Sequence, residues 1–175
     1  MHLEPLLSAE RVQEGIDRIA AAIKADFGDE SILLVGVLKG SLYFLADLSM
    51  RLSENVEIDF VQVSSWGGQR ESSGIVQIRK DLDIPIEGRN VILVEDIIDT
   101  GLTIQHLREL FGTRKPKVLK VAALLSKPGA RKVETRVEYI GFEIPNEFVV
   151  GYGLDEKERY RNLPFIAILR DVESP

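Results

Sequence analysis

The chain has 175 residues, the size of one ordinary domain, and we predict a single domain over residues 1–175. With 28 acidic and 22 basic residues, its net charge of −6 argues against a nucleic-acid surface, although a local site can still bind an anionic small molecule. The absence of cysteine excludes disulfides, thiolate metal sites and a cysteine nucleophile. The longest apolar run, Ile32–Leu38, is far shorter than the roughly 18 residues that span a bilayer, so we expect a cytoplasmic protein without membrane partners.

The first part of the chain alternates between helix and strand patterns. Apolar residues from Ser8 to Phe27 follow the helical period and predict an amphipathic helix with Ser8 as its N-cap. Ile32–Val37 is a short apolar run, typical of a strand buried on both faces of a parallel sheet. Lys39–Ser41 then predicts a turn into a second helix with apolar positions as far as Leu52.

A long loop is predicted next. Val56–Val63 alternates with period two, which indicates a half-buried strand. Ser64–Gly74 has no periodicity and contains several glycines and serines, and loops of this length in compact domains are often functional lids. Ile75–Ile78 is predicted to return as the partner strand.

The second half of the chain repeats the alternation. A buried strand is predicted at Val91–Val94, a helix from about Thr103 to Gly112, and another buried strand at Val118–Leu125. This alternation predicts an α/β fold with a central parallel sheet flanked by helices. The strand and turn character of the remaining segments predicts a small β-rich flap, with short strands at Val137–Ile140, Phe148–Val150 and Phe165–Leu169.

The strongest chemical signal is the segment Val91–Thr103. Its apolar strand carries the segment to the carboxyl edge of the sheet, where ligands bind in open α/β folds. Gly101 allows close backbone approach, and the following N–H groups and threonine hydroxyls can hold a phosphate at the positive end of a helix. The adjacent carboxylates of Glu95 and Asp96 can bind sugar hydroxyls or a divalent cation. A strand end followed by an ordinary helix cap is the alternative interpretation.

Within this segment, Val94–Gly101 resembles the ribose-phosphate signature of type I phosphoribosyltransferases, in the form seen in the hypoxanthine-guanine phosphoribosyltransferase family. Other stretches match that family in the same order from Ile32 to Leu169. They resemble the pyrophosphate loop at Val37–Gly40, the mobile catalytic loop at Ser64–Gly67, the base-recognition strand at Ala123–Lys127, and the purine-binding hood at Tyr139–Pro145 and Phe148–Asp155.

The resemblance implies both a fold and a reaction. The fold would be a type I phosphoribosyltransferase-like sheet with a flexible β-loop and a small hood built mainly from the N-terminal and C-terminal segments. The reaction would transfer the 5-phosphoribosyl group from phosphoribosyl pyrophosphate to hypoxanthine or guanine, giving IMP or GMP and pyrophosphate, with Mg²⁺ as cofactor. Members of the family form dimers or tetramers, so the resemblance also implies a homodimer or homotetramer.

The resemblance assigns roles to the carboxylates. Asp99 is the candidate general base near N7 of the purine, and the alternatives are that it only orients the base or caps the helix. Glu95 and Asp96 would hold the ribose hydroxyls directly or through Mg²⁺, and Asp155 would bind a second Mg²⁺ and, through its carbonyl, the exocyclic amine of guanine. The phosphate-binding set would also include Ile98, Thr100, Gly101, Leu102 and Thr103.

Further roles follow for the base and the leaving group. Lys127 would donate to a 6-oxo group and not to a 6-amino group, which argues against adenine as substrate. Phe148 would stack on the purine, and Val149 would present backbone groups to its edge. Lys39, Gly40 and Arg161 would bind pyrophosphate, with an unusual cis peptide between Leu38 and Lys39.

Ser65 and Trp66 would belong to the lid that excludes water during catalysis. The family usually has a tyrosine where this chain has Trp66, so the resemblance does not extend to a role for a tyrosine hydroxyl.

Three other functions stay open at this point. A xanthine-preferring relative has the same motifs. An RNA-binding regulator of the same superfamily would need a basic face, and the net charge of −6 argues against one. A phosphate-binding or receiver module without catalysis fits the fold, but it does not explain why Lys127, Phe148 and Asp155 occur together in the family's order.

Overall fold

The computed structural model describes residues 2–65 and 76–170. Within these residues no helix is long and apolar enough to cross a membrane. The elements in chain order are β1 (His2–Leu7), α1 (Ala9–Phe27), β2 (Ile32–Leu38), α2 (Leu42–Ser49), β3 (Val56–Ser65), β4 (Val76–Lys80), β5 (Asn90–Ile98), α3 (Leu102–Gly112), β6 (Val118–Ser126), a 3-10 turn (Pro128–Ala130), β7 (Tyr139–Glu143), β8 (Val149–Val150) and β9 (Ile166–Arg170).

The central sheet has six strands in the order β4-β3-β2-β5-β6-β7. All neighbouring strands are parallel except β3 and β4. Ile32 pairs with Asn90, which in turn pairs with Val118, so the three central strands start level with one another. Their carboxyl ends therefore reach the same edge of the sheet, and the loops that follow β2, β5 and β6 meet there. The predicted α/β fold with a mainly parallel central sheet is confirmed.

Two apolar cores cover the two faces of this sheet. Successive strand residues point to opposite faces, so Leu34 belongs to one core and Leu33 and Val35 to the other. The first core contains the buried faces of α1 and α2, and the second contains the buried face of α3. Each fully buried Leu or Ile contributes about 2 kcal/mol through the removal of apolar surface from water. This double covering explains why β2 and β5 are continuous apolar runs.

A second, antiparallel sheet joins the two ends of the described chain. Its order is β1-β9-β8, with Leu3 paired to Leu169 and Val149 paired to Ile168. Pro5 lies in the edge strand β1, where the register shifts, which is a position that tolerates the missing N–H of proline. Ile168 and Val149 belong to the same core as α1. This sheet combines the terminal segments from which a hood is expected, and the single-domain assignment stays a prediction.

Some boundaries differ from those expected from the sequence. Ser8 caps α1 as predicted, accepting a hydrogen bond from the Arg11 backbone N–H at 3.2 Å. Helix α2 ends at Ser49, before the apolar Leu52, because the backbone tightens into a three-residue turn. Strand β7 begins later than predicted, at Tyr139, where pairing with β6 begins. The prediction that this strand belongs to a small β-rich flap was wrong, because β7 extends the central sheet as its edge strand. Most of the predicted lid, Ser64–Gly74, lies outside the described residues.

Candidate active site

A cleft of about 310 Å³ lies at the carboxyl edge of the central sheet. It forms between the loops after β2 and β5 and the segment that follows β8. The predicted site residues that line it are Lys39, Gly40, Glu95, Asp96, Ile98, Asp99, Thr100, Gly101, Thr103, Asp155 and Arg161.

The phosphate-binding segment forms the turn between β5 and α3. Gly101 has a φ of 86°, a left-handed conformation that glycine adopts without steric cost, and α3 begins at the next residue, Leu102. The backbone N–H of Leu102 donates to the Thr100 hydroxyl at 3.4 Å. Because the first N–H groups of a helix have no partner within it, this end of α3 can bind an anion. The turn is therefore suited to a phosphate, as the sequence predicts.

Glu95 and Asp96, here called the carboxylate pair, lie near the end of β5, shortly before this turn, and both line the cleft. Burial and then the charge of Asp96 raise the pKa of Glu95 well above its ordinary value, and burial also raises the pKa of Asp96. The backbone N–H of Ile97 donates to Asp96 Oδ1 at 2.8 Å. Among the described residues neither carboxylate forms an ion pair, and the charge of Arg161 only partly offsets the effect of burial on the pKa of Asp96.

This donor set fits a Mg²⁺ ion that arrives with a phosphorylated ligand. Oxygen ligands are those that Mg²⁺ prefers, and Mg²⁺ usually binds one or two carboxylates together with substrate phosphates. No group of three acidic or histidine side chains in the described part of the chain is arranged to hold a metal alone. The carboxylate pair can supply two of the ligands, and the remaining ones would come from elsewhere.

The loop after β2 packs tightly against the carboxylate pair. The peptide between Leu38 and Lys39 is cis, in agreement with the resemblance. A Cβ atom on Gly40 would lie 1.8 Å from Asp96 Oδ2, so only glycine fits this arrangement. On the far side, Gly40 contacts Gly153, whose added Cβ would lie 1.9 Å from the Gly40 carbonyl oxygen. Gly40 is therefore held between two other parts of the site.

Four charged side chains form what we call the charged rim: Lys39, Asp155, Glu158 and Arg161. Arg161 Nη2 forms an ion pair with Asp155 Oδ1 at 3.0 Å and donates to Glu158 Oε1 at 3.1 Å. Lys39 Nζ donates to Glu158 Oε2 at 2.7 Å. Hydrogen bonds from Lys39 and then Arg161 lower the pKa of Glu158. Sequence reasoning missed Glu158, because it lies in a run of charges typical of a solvated turn.

Asp99 and Lys127 come together at the ends of β5 and β6. Lys127 Nζ lies 3.7 Å from Asp99 Oδ2, and the Lys127 residue is only 6% exposed, whereas the Asp99 side chain is half exposed. Arg131, also missed from the sequence, donates to the Asp99 carbonyl and to the Ser126 hydroxyl, both at 2.8 Å. A nearly buried ammonium thus lies beside an accessible carboxylate that lines the cleft.

Among the described residues, Leu102, Lys127, Phe148 and Val149 do not line this cleft. Phe148 is exposed and adjoins the small sheet, where Val149 is buried against β9. Leu102 starts α3, with its side chain partly buried. Ser65 ends β3, but its side chain and the whole of Trp66 lie outside the described residues, so the predicted lid roles stay predictions.

The cleft combines a helix N-terminus, two cationic side chains and several carboxylates, which suits a polyphosphorylated sugar. The family model of the phosphoribosyl transferase domain matches residues 2–157 of the chain. The chain therefore belongs to the phosphoribosyl transferase family.

Individual relatives narrow this class. The chain is 48% identical over 165 residues to the hypoxanthine-guanine phosphoribosyltransferase of Bacillus subtilis, a match that covers 94% of this chain and 92% of the relative. It is 46% identical to the Streptococcus pneumoniae enzyme of the same name, with 95% and 92% covered. The crystal structure of a hypoxanthine-guanine phosphoribosyltransferase from Bacillus anthracis is 50% identical and has a TM-score of 0.91, with 95% of this chain and 98% of that one covered.

Proposed function

We propose that the chain is a purine salvage enzyme that transfers the 5-phosphoribosyl group from phosphoribosyl pyrophosphate to hypoxanthine or guanine. The products are IMP or GMP and pyrophosphate. The observation that carries the proposal is the pairing of Lys127 with Asp99 at the edge of a phosphate-binding cleft. In the proposal, Lys127 is the donor to a 6-oxo group, and the neighbouring Asp99 is the carboxylate that accepts a purine proton. The family membership and the relatives described above support the same conclusion.

The phosphate end of the substrate would bind at α3. The N–H groups of its first turn and the hydroxyls of Thr100 and Thr103 hold the 5-phosphate, and the left-handed conformation of Gly101 forms the turn that presents them. The carboxylate pair holds the ribose hydroxyls. This arrangement fixes the ribose between the base and the leaving group, which lowers the entropic cost of reaching the reactive geometry.

The purine would bind between Lys127 and the small sheet. The Lys127 ammonium donates to the 6-oxo group, and a 6-amino group would meet this donor unfavourably. Asp99 accepts a proton from the purine as the ring nitrogen attacks carbon 1 of the ribose. The exposed ring of Phe148 is available to stack on the base, while Val149 and the Asp155 carbonyl contact its edge.

The leaving group would bind at the charged rim. As the bond from carbon 1 to the pyrophosphate oxygen breaks, its electron pair goes to pyrophosphate, and positive charge develops on the ribose. Lys39 and Arg161 stabilise the pyrophosphate through their cations, together with the Gly40 backbone. Closure of the lid that contains Ser65 and Trp66 excludes water from this step.

Mg²⁺ is part of the proposal, with Glu95, Asp96 and Asp155 as its candidate ligands. When bound, it neutralises the negative charge of the pyrophosphate group. Asp155 is paired with Arg161 in the described structure, so its role as a ligand needs a rearrangement of that pair. We also propose a cytoplasmic homodimer or homotetramer, which light scattering during size-exclusion chromatography would test.

A spectrophotometric assay tests the proposed reaction. Phosphoribosyl pyrophosphate and Mg²⁺ are mixed with hypoxanthine, guanine, xanthine or adenine in turn. We expect turnover with hypoxanthine or guanine and little with adenine. Activity with adenine alone, or a lack of activity with all four bases, contradicts the proposal. The highest kcat/KM with xanthine would make the chain a xanthine-preferring member of the family.

A further inference from the structure

We infer that Tyr152, held by Asp47, is a positioning residue for the proposed pyrophosphate subsite, an inference that rests on the proposed function. Tyr152 does not line the cleft. Its hydroxyl instead joins the segment that leads to Asp155 with the helix that continues from the Lys39–Gly40 loop. It thereby sets the relative position of the two segments that contact pyrophosphate.

The backbone around Tyr152 is pressed against the loop after β2. Gly151, Tyr152 and Gly153 have φ values of 100°, 48° and 100°, so three successive residues adopt the left-handed region. Such a conformation is disfavoured for tyrosine and persists only where surrounding contacts enforce it. One of these contacts is the close approach of Gly153 to the Gly40 carbonyl. A shift of this segment would therefore move the pyrophosphate loop.

The Tyr152 side chain supplies a second contact. Its hydroxyl donates to Asp47 Oδ2 in α2, and Gln13 Nε2 donates to the same oxygen at 3.0 Å. Tyr152 is 6% exposed, and its ring lies 6.1 Å from that of Tyr43, also in α2. Burial and the hydrogen bond to Asp47 raise the pKa of Tyr152, so the hydroxyl stays protonated and remains a donor at physiological pH.

The anchored segment also holds the arginine of the charged rim. Arg161 Nη1 donates to the Gly153 carbonyl at 2.6 Å, while Arg161 Nη2 forms an ion pair with Asp155. Helix α2, which contains Asp47, starts directly after the loop that contains Lys39, and the Leu42 backbone N–H donates to the Lys39 carbonyl at 3.1 Å, so the position of α2 constrains that of Lys39. The hydrogen bond between Tyr152 and Asp47 therefore fixes the separation of Lys39 and Arg161, the two cations assigned to the leaving group.

A matched control exists elsewhere in the chain. Tyr139 is also buried and donates to an aspartate of a helix, Asp26 Oδ2, at 2.5 Å. That bond joins α1 to β7, which belongs to the central sheet and not to the small sheet from which the hood is expected, and neither Tyr139 nor Asp26 lines the cleft. Tyr139→Phe and Tyr152→Phe thus remove the same chemical group from two comparable hydrogen bonds, and only one of the bonds supports the proposed subsite.

The experiment compares the steady-state kinetics of both variants with the wild type. For Tyr152→Phe we expect KM for phosphoribosyl pyrophosphate to rise about tenfold, with KM for hypoxanthine changing less than about twofold. Tyr139→Phe should leave both constants unchanged. Asp47→Asn retains an acceptor for the tyrosine hydroxyl and should stay near the wild type, whereas Asp47→Ala should behave like Tyr152→Phe.

Calorimetric titration with pyrophosphate and Mg²⁺ gives a measurement that does not require turnover. We expect Tyr152→Phe to weaken pyrophosphate binding about tenfold relative to Tyr139→Phe. Equal binding by the two variants, or equal changes in the KM of both substrates, would overturn the inference. A wild type without activity on any purine contradicts the proposed function instead. If Tyr152→Phe fails to fold, the comparison of Asp47→Asn with Asp47→Ala decides the question.

Discussion

The charged rim and the carboxylate pair lie in the same cleft but differ in how their charges are balanced. Each member of the rim forms an ion pair with another member, as in the contact of Glu158 with both Lys39 and Arg161. Glu95 is buried and its neighbour Asp96 is partly buried, and among the described residues they form no ion pair. A ligand must therefore break existing contacts at the rim, whereas it supplies the missing positive charge at the carboxylate pair.

The charged rim and the carboxylate pair are therefore expected to affect different properties, substrate affinity at the rim and protein stability at the carboxylate pair. The Lys39–Glu158 pair is largely exposed, whereas the Arg161–Asp155 pair is partly buried. Exposed ion pairs contribute little to folding, but they compete with an incoming phosphate. The buried carboxylates make the free protein less stable, because burial and mutual repulsion oppose their ionisation. Changes at the rim should mainly alter substrate affinity, while changes at the carboxylate pair should alter both stability and its response to Mg²⁺.

The largest effect is expected at Asp99, which belongs to neither region. Asp99→Asn removes the proposed proton acceptor, so kcat should fall about 10²-fold or more, with a smaller change in KM for phosphoribosyl pyrophosphate. Steady-state kinetics with both substrates varied provide the measurement. If affinity for phosphoribosyl pyrophosphate fell as much as kcat, Asp99 would be an anchor for that substrate. The binding sites for the phosphate and for the purine would then share this residue.

An intermediate effect is expected from Glu95→Gln, which removes one of the two buried charges. Because the pKa of Glu95 in the folded state is raised above 4.5, its carboxyl group ionises at a lower pH in the unfolded state than in the folded state. The wild type therefore loses stability as pH increases above about 4.5, and the variant avoids this loss. Between pH 7 and 8 we expect the Tm of Glu95→Gln to exceed that of the wild type by about 2–4 °C.

Glu138→Gln serves as the control for this experiment, since Glu138 is a nearly buried carboxylate that does have a partner. It accepts from Arg108 at 2.5 Å and from the Val121 backbone N–H at 2.8 Å. Its neutralisation should lower the Tm, in contrast to Glu95→Gln. Thermal unfolding with and without Mg²⁺ and phosphoribosyl pyrophosphate completes the test, and a destabilised Glu95→Gln would contradict the proposed repulsion.

The smallest effect is expected at the rim. Glu158→Gln removes an anion that binds Lys39 and Arg161, so KM for phosphoribosyl pyrophosphate should fall about two- to threefold at low salt, with a smaller change at high salt. Glu156→Gln is the matched control, because Glu156 pairs with Lys157 and Arg159, which do not line the cleft, whereas Lys39 and Arg161 do. A higher KM for Glu158→Gln would show that Glu158 orients the cations instead of competing for them.

Local pattern predicted the parts of the fold and site that depend on neighbouring residues. The two-sided apolar runs predicted β2 and β5, and the turn around Gly101 followed from its place between a strand and a helix. The pattern could not predict β1, since its polar residues and Pro5 have little strand character, and its pairing with β9 depends on the distant end of the chain. The resemblance to a known family supplied the cis peptide that no local pattern encodes.

Contacts between distant segments account for most of what the sequence did not predict in the site. Glu158 has no local feature that distinguishes it from Glu156, and its role depends on Lys39, far away in the chain. Arg131 likewise becomes informative only once β5 and β6 bring Asp99 and Ser126 together. The importance of Gly153 comes from its contact with Gly40, not from its own neighbours in the sequence.

The position of Gly40 between Asp96 and Gly153 has a consequence for folding kinetics. The three residues belong to distant parts of the chain, and the contacts leave no space for a Cβ at Gly40. Two long loops must therefore close before the site acquires its shape, which costs chain entropy that is recovered only when all three segments meet. The cleft is thus expected to form cooperatively with the central sheet, late in folding, rather than as a locally assembled unit.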